Sequence, residues 1–365
     1  MKILTIGPLP PPLHGQSAAD RMAFDGLAST ERVTVIDSAI DKAFAGNKMP
    51  PLWSPARLVE IVRILFRDFA PVWLRGYDVV YMSVGSSFRT LMRFLPYMIA
   101  ARVKGEPYVL HIHSARLYHN YASLSGFKRR LMGWCLKGAA SVVVLGDTIA
   151  RTVGRILPPQ RIRVCANGID DTLRLSDDEL GATLDSSGAD ILFLSNLMEA
   201  KGIFQMLDAF ELLADSYRLT LAGAIESDAV RQRVERMCDR YPGRVVYRGV
   251  VTGRDKRDVL KNSDILVLPS HDEGQGIVIL ESYATGCAVV TDPSVGGIGD
   301  IFADGVNGVA CDHADPRSIA ASIAKVGQRL SFYKEVNRMA SESYSEAAFL
   351  SRVKSILEDS VAARG

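Results

Sequence analysis

Cysteine is scarce in this chain and what there is lies scattered. The five residues (Cys135, Cys165, Cys238, Cys287, Cys311) form no C-x-x-C pair, which argues against a zinc site or a disulfide framework and fits a reducing cytosol. Long apolar runs are missing as well, and none approaches the roughly 18 residues of a membrane span. The first apolar run, KILTIG, is short and is followed by the prolines of PLPPP (8–12), so it does not read as a signal peptide. There is no G-x-G-x-x-G, which weakens a dinucleotide-binding reading. No recognised RNA or DNA motif and no aromatic stacking platform occurs, so nucleic acid is not an expected partner. Internal repeats and low-complexity tracts are absent too.

What is present is the composition of an ordinary soluble globular protein, 48% apolar and 23% charged. A length of 365 residues fits two domains. The net charge of +2 conceals an asymmetry: residues 1–170 carry 22 Lys and Arg against 11 Asp and Glu, and the remainder is acidic. A basic half points to an anionic partner or, equally simply, to a solvated face. The expected location is cytoplasmic.

Apolar runs rich in Val and Ile recur with helical patterns between them. In the first half they are 2–7, 33–37, 78–82, 108–113 and 141–145, with helices expected near 16–28, 56–70, 88–104 and 126–138. In the second half they are 190–195, 219–223, 245–249, 265–269 and 288–291, with helices near 202–215, 227–240, 254–262 and 277–285. Runs without polar alternation are how strands buried on both faces of a parallel sheet read. Two such series predict an α/β protein of two doubly wound, Rossmann-like domains facing across a cleft. The polar stretch 171–188 is the best linker candidate. Ligands in such sheets lie beyond the carboxyl ends of the strands, so the chemistry is sought in the turns that follow them.

The most informative of these turns is SHDEGQGIVILESYATG (270–286). Glu273 precedes Gly274-Gln275-Gly276, and Glu281 lies eight residues further on, about two helical turns away. A glycine-rich turn opening a helix presents backbone N–H groups to anions such as phosphate. A glutamate in so apolar a helix start needs a partner or a cleft. Two close carboxylates also fit retaining glycoside hydrolysis, but the phosphate-type loop favours a donor with a phosphate leaving group. In SNLMEAKGI (195–203), Lys201 can hold a diphosphate as a point charge and Asn196 can donate a neutral hydrogen bond; an exposed loop lysine is the plainer alternative. Gly15 and Gln16 open a helix after the first strand, where their amides can meet phosphate or sugar. His111 and His113 end the fourth strand, and His113, the last residue before the turn, is better placed to face a cleft; the pair makes a poor metal site, and none is expected elsewhere.

In order and spacing these pieces resemble the family 4 retaining glycosyltransferases of GT-B fold (glycosyl transferases group 1). The resemblance covers most of the chain and is strongest in SNLMEAKGI, VVYRGVV, SDILVLPSHDEGQGIVILESYATGCAVVT and VGGIGDIFADGVNGVACDHADPRSIAASI. It implies an acceptor-binding domain over 1–170, with a final helical segment (346–365) returning to it, and a nucleotide-sugar-binding domain over 171–345. The implied activity is retaining, metal-independent hexosyl transfer from a nucleoside-diphosphate sugar, with UDP or GDP as the expected nucleotide and no cofactor, to a glycan or lipid-linked glycan acceptor. Glu281 would bind the ribose hydroxyls and Glu273 would face the donor sugar. The amides of Gly274, Gln275, Gly276 and Ile277 would line sugar and phosphates. Lys201 would neutralise the diphosphate, Gly15 would contact it from the other domain, His113 would reach the transferred sugar, and the backbone near Val250 would read the base edge. The absence of Asp-x-Asp agrees with a diphosphate held without metal. Sugar-nucleotide epimerisation on the same architecture, or nucleotide-sugar binding without catalysis, are the alternatives.

Four positions depart from the family pattern. Asn196 stands where the family has Arg, weakening the diphosphate clamp unless another cation such as Arg254 replaces it. Gln275 replaces a phenylalanine, which leaves sugar specificity open. A glycine pair is His14-Gly15, and Gly-Gly-Ile-Pro-Glu is Gly-Gly-Ile-Gly-Asp (296–300). In the basic half, segments 57–75 and 126–137 mix Arg and Lys with bulky apolar residues. Such stretches can lie on an anionic membrane as a peripheral contact, or can be core-facing helices with a basic outer face.

Overall fold

The computed structural model describes residues 1–11, 15–38, 54, 55, 59, 72–184 and 189–363. The chain forms two compact units, Met1–Gly168 with Ala347–Gly365, and Ile169–Glu346. Each is built on a six-stranded, wholly parallel sheet with helices on both faces, as the fold class requires.

In the first unit the strands are β1 (Lys2–Gly7), β2 (Arg32–Asp37), β3 (Val79–Val84), β4 (Tyr108–Ile112), β5 (Ser141–Val144) and β6 (Ile162–Val164), in the order β2-β1-β3-β4-β5-β6. Every residue of β3, β4 and β5 is buried, which is why their sequences show no polar alternation. Alternate residues still divide between the two faces. Leu4, Ile6, Val80, Met82, Leu110, Ile112, Val142 and Val144 enter one core, with Leu91, Met98 and Leu136 of the helices. Ile3, Val79, Tyr81, Val109 and Val143 enter the other, against Phe24 and Leu27 of the helix Gly15–Thr30 and Phe349, Val353 and Leu357 of the helix Glu346–Ala362. That last helix is held by burial of Phe349 and by an ion pair from Lys354 Nζ to Glu31 Oε1 at 2.7 Å.

The second unit contains β7 (Asp190–Leu194), β8 (Arg218–Ala222), β9 (Val245–Tyr247), β10 (Ile265–Leu268), β11 (Ala288–Thr291) and β12 (Gly308–Ala310), in the order β12-β11-β10-β7-β8-β9. Ile191, Phe193, Leu219, Leu221, Ile265, Val267 and Val290 face one core and Leu192, Leu194, Leu266, Leu268 and Val289 the other. Strand order reverses where β7 lies between β8 and β10, and in the first unit where β1 lies between β2 and β3. The crevice beyond the carboxyl ends of the strands at such a reversal is the natural ligand site.

Several expectations need correction. β6 and β12 escape the sequence reading because each is a three-residue, largely half-exposed edge strand with no sustained apolar run. The helix expected over 88–104 is two, Phe88–Met92 and Leu95–Val103. Pro96 sits in the first turn of the second, where its missing N–H costs nothing. The stretch 171–188 is no linker over its described part. Its short helix Asp177–Gly181 carries a Ser176/Glu179 capping box, and Glu179 pairs with Arg257 and Lys261 of the second unit at 2.7 and 2.8 Å. The helix expected near 56–70 and most of the basic segment 57–75 lie outside the described residues. Among the described residues no helix is long and apolar enough to cross a membrane.

Candidate active site

At the reversal point of the second unit, the loop after β7 meets the loop after β10. Lys201 ends a turn (Glu199–Lys201), and Gly202 follows with φ +75° as the N-cap of the helix Ile203–Phe210. A Cβ on Gly202 would stand 2.0 Å from the Pro269 carbonyl oxygen, so only glycine lets the two loops approach this closely. Ser270 Oγ donates to the carbonyls of Ala200 and Asp272, both at 3.1 Å, and the His271 amide donates to Ala200 O at 3.0 Å. These bonds fix Lys201 so that its ammonium donates to Glu273 Oε1 at 2.6 Å and to Asp272 O at 3.3 Å. Both side chains keep some solvent contact, 23% for Lys201 and 11% for Glu273.

Beyond Glu273 the chain turns through Gly274, the buried Gln275 and Gly276, whose left-handed backbone (φ +78°) caps the helix Ile277–Ala284. No side chain caps this helix start, and the first turn of a helix is its anion-binding end. Glu281 lies on the same helix, 8% exposed, and accepts from Lys256 Nζ at 2.5 Å. Lys256 belongs to the helix Gly253–Lys261, and the sequence reading missed it because nothing local couples it to a glutamate 25 positions away. Arg254 is exposed at the start of that helix, Asn196 is exposed after β7, and Val250 is 66% exposed after β9.

A third polar group lies beside this loop. His313 Nδ1 stands 2.7 Å from Asp292 Oδ2, and the His271 and His313 rings meet edge-on at 4.7 Å. Asp292, Asp312 and His313 have ligand atoms within 4.8 Å of one another. Asp292 is already engaged by the Ser294 amide and hydroxyl and by His313. Burial alone would raise its carboxyl, but these bonds hold it at about 2.

The first unit holds the other sequence candidates. Gly15 is exposed at the start of the helix Gly15–Thr30, and Gln16 Nε2 donates to Ser83 Oγ at 3.0 Å; His14 lies outside the described residues. The His113 side chain is only 5% exposed. Its Nδ1 lies 3.1 Å from Asn167 Oδ1, its Nε2 lies 3.7 Å from Asp20 Oδ1, and its ring stacks on His111 at 4.1 Å. The structure thus brings Lys201 and Glu273 together and gives Glu281 and His113 partners, Lys256, Asp20 and Asn167, that no motif announced.

Two family models cover most of the chain. Residues 20–168 match the glycosyl transferase 4-like domain and residues 188–328 match glycosyl transferases group 1. The chain belongs to the group 1 glycosyltransferases. It is 28% identical over 270 residues to an uncharacterised glycosyltransferase of Methanocaldococcus jannaschii, covering 68% of this chain and 66% of that one. It is 27% identical over 250 residues to the alpha-maltose-1-phosphate synthase of Mycolicibacterium smegmatis, covering 63% and 64%. The chain therefore spans about two thirds of the length of these relatives. Among solved structures, Anabaena HepE in complex with UDP and glucose superposes with a TM-score of 0.73 at 18% identity, covering 98% of this chain and all of that one. Sucrose-phosphate synthase of Thermosynechococcus elongatus gives 0.76 at 16% identity over the whole of both chains. At such identities the structures speak for the fold, which is the GT-B glycosyltransferase fold.

Proposed function

We propose that this group 1 family member is a retaining glycosyltransferase. It moves a hexosyl unit from a nucleoside-diphosphate sugar, UDP or GDP, to a glycan or lipid-linked glycan, without metal or cofactor. The observation that carries the reading is the Lys201–Glu273 pair at the β7/β10 reversal, directly before the open N-terminus of the helix Ile277–Ala284.

Each role follows from the charge that develops. As the bond from sugar to diphosphate breaks, negative charge builds on the leaving phosphate and positive charge on the sugar ring. Lys201 and the amides of Gly274 to Ile277 stabilise the former, and Gly15 and Gln16 are further phosphate contacts in this reading. Glu273 faces the sugar and pairs with Lys201, an ammonium for which a diphosphate would compete. Glu281 accepts from the ribose hydroxyls, and Lys256 pairs with it from the neighbouring helix. Asn196 and the backbone near Val250 complete the nucleotide contacts, and His113 serves the transferred sugar. The acceptor hydroxyl attacks the face the diphosphate leaves, and the departing phosphate oxygen takes its proton, so no protein base is required.

A peripheral contact with an anionic membrane is part of the proposal. Phe127, Arg130, Trp134 and Lys137 form one exposed stripe of the helix Gly126–Lys137, which carries no acidic residue. Phe127 is 74% exposed and Trp134 carries the Arg102 guanidinium 3.5 Å above its ring. Flotation with anionic liposomes at low salt should carry the protein with the vesicles, and Trp134→Ala with Arg130→Glu should release it; wild-type protein left behind would rule the contact out.

The test of the central reading is nucleotide release from UDP-, GDP- and ADP-sugars with and without an acceptor. Acceptor-dependent release with retention at the anomeric carbon is expected. Epimerised donor without transfer would point to an epimerase, and thermal stabilisation by donor without turnover to a binding protein.

A further inference from the structure

Beneath the loop that follows β4 lies a buried polar group that none of the roles above uses. Asp20 projects from the helix Gly15–Thr30 toward the sheet and is 1% exposed. The fold makes space for it, because a Cβ on Gly7 would stand 3.0 Å from Asp20 Oδ2 and equally close to Ser83 Cβ. Neither carboxylate oxygen accepts a hydrogen bond of ordinary geometry. The Ser83 hydroxyl is still near enough to favour the ionised form, and it is the same hydroxyl that accepts from Gln16. A carboxylate so placed must find a cation or take up a proton.

The neighbours narrow the choice. Burial pushes the Tyr81 phenol well up, so it remains protonated, and its Oη lies 2.6 Å from His111 Nδ1. Burial pushes His111 well down, so its ring is neutral. Burial raises Cys165, which acts on Tyr81, to about 11. These three do not change charge near neutral pH. Within the cluster, His113 presents its Nε2 to Asp20. Their 3.7 Å separation is that of an ion pair, and burial pushes the Asp20 carboxyl well above its ordinary value, as expected of an acid that can hold the pair's proton itself.

We propose that Asp20 is a positioning residue for His113, its carboxylate orienting the imidazole and sharing one proton with it, so that the two act as a unit under the loop after β4. The inference rests on the reading of His113 as the group that serves the transferred sugar. Pair and free histidine differ in a way that can be measured. With Asp20 present, a proton leaving His113 leaves a carboxylate behind; with asparagine there is no such charge, and a buried imidazole gives up its proton more readily. Gln16 is joined to the same cluster through Ser83, so a ligand that moves Gln16 disturbs the field at Asp20 as well.

The test is an NMR titration of the full chain with labelled histidine, the His113 signal being assigned by its loss in His113→Ala. In Asp20→Asn the His113 midpoint should move toward acid by about one pH unit or more, and the matching limb of the kcat/KM profile should move with it. If Asp20→Asn does not fold, Asp20→Ser is read the same way. An unchanged His113 midpoint in a folded variant overturns the pairing. His113→Ala with undiminished transfer overturns the functional reading beneath it and leaves the titration result standing, so the two failures are told apart.

Discussion

Lys201 and Glu273, 72 positions apart in sequence, stand 2.6 Å apart in space because β7 and β10 are neighbours in the sheet. The pair is a charge-neutral plug in a site proposed for a diphosphate. Removing the lysine removes the cation that meets the leaving phosphate. Lys201→Ala is expected to lower kcat by about 100-fold or more, with folding unchanged by circular dichroism. Glu273→Ala frees the ammonium and should weaken turnover more than nucleotide binding, so UDP should still stabilise that variant. Turnover at the wild-type rate in Glu273→Ala would remove it from the site.

Glu281 and Lys256 make a second prediction. If Glu281 accepts from ribose, Glu281→Ala should weaken nucleotide binding about 10- to 100-fold, the worth of hydrogen bonds to a charged group, as read by calorimetry. Lys256→Met leaves Glu281 buried without its cation and should lower unfolding stability by about 1–3 kcal/mol in a denaturant titration.

A stability prediction concerns Lys334, which is 2% exposed. Its ammonium donates to Asp264 Oδ1 at 2.9 Å and to Thr183 O at 2.8 Å. Breaking one side of a buried pair strands the other charge. Lys334→Ala should cost about 3–5 kcal/mol, and Lys334→Met with Asp264→Asn should recover part of it. Equal loss in the single and double variants would contradict this account.

Asp292 predicts an acid limit. Its folded-state value of about 2 lies below the ordinary value of about 4. The stabilisation is therefore complete above pH ~4 and is lost as pH falls through about 2. The melting temperature of Asp292→Asn should fall less steeply than that of the wild type over this interval. Parallel curves would mean that the Ser294 and His313 bonds contribute nothing to the carboxylate.

The Rossmann-like character of both sheets is legible in runs such as KILTIG and DILVLP, because strands buried on both faces must be apolar throughout. β6 and β12 were not, since three residues at a sheet edge, most of them half-exposed, place no such demand on the sequence. The stretch 171–188 reads as a linker from its polarity alone. Glu179 belongs to a folded turn because Arg257 and Lys261 reach it from a helix far along the chain. The loops bearing Lys201, Glu273 and His113 were found from the sequence because each follows an apolar run directly.

By itself, then, the sequence determined the alternation of strands and helices, the loops in which chemistry is to be sought and the family, all of which rest on local patterns of apolar spacing, glycine and charge. Only the tertiary structure decided what those side chains touch. Strand order, which no local pattern encodes, puts β7 beside β10 and so Lys201 beside Glu273. The packing of the helix Gly253–Lys261 brings Lys256 to Glu281. The helix Gly15–Thr30, laid on its sheet with Gly7 beneath it, buries Asp20 beside His113. An ion pair depends on distance in space, and that distance is fixed only when the apolar faces have chosen their neighbours.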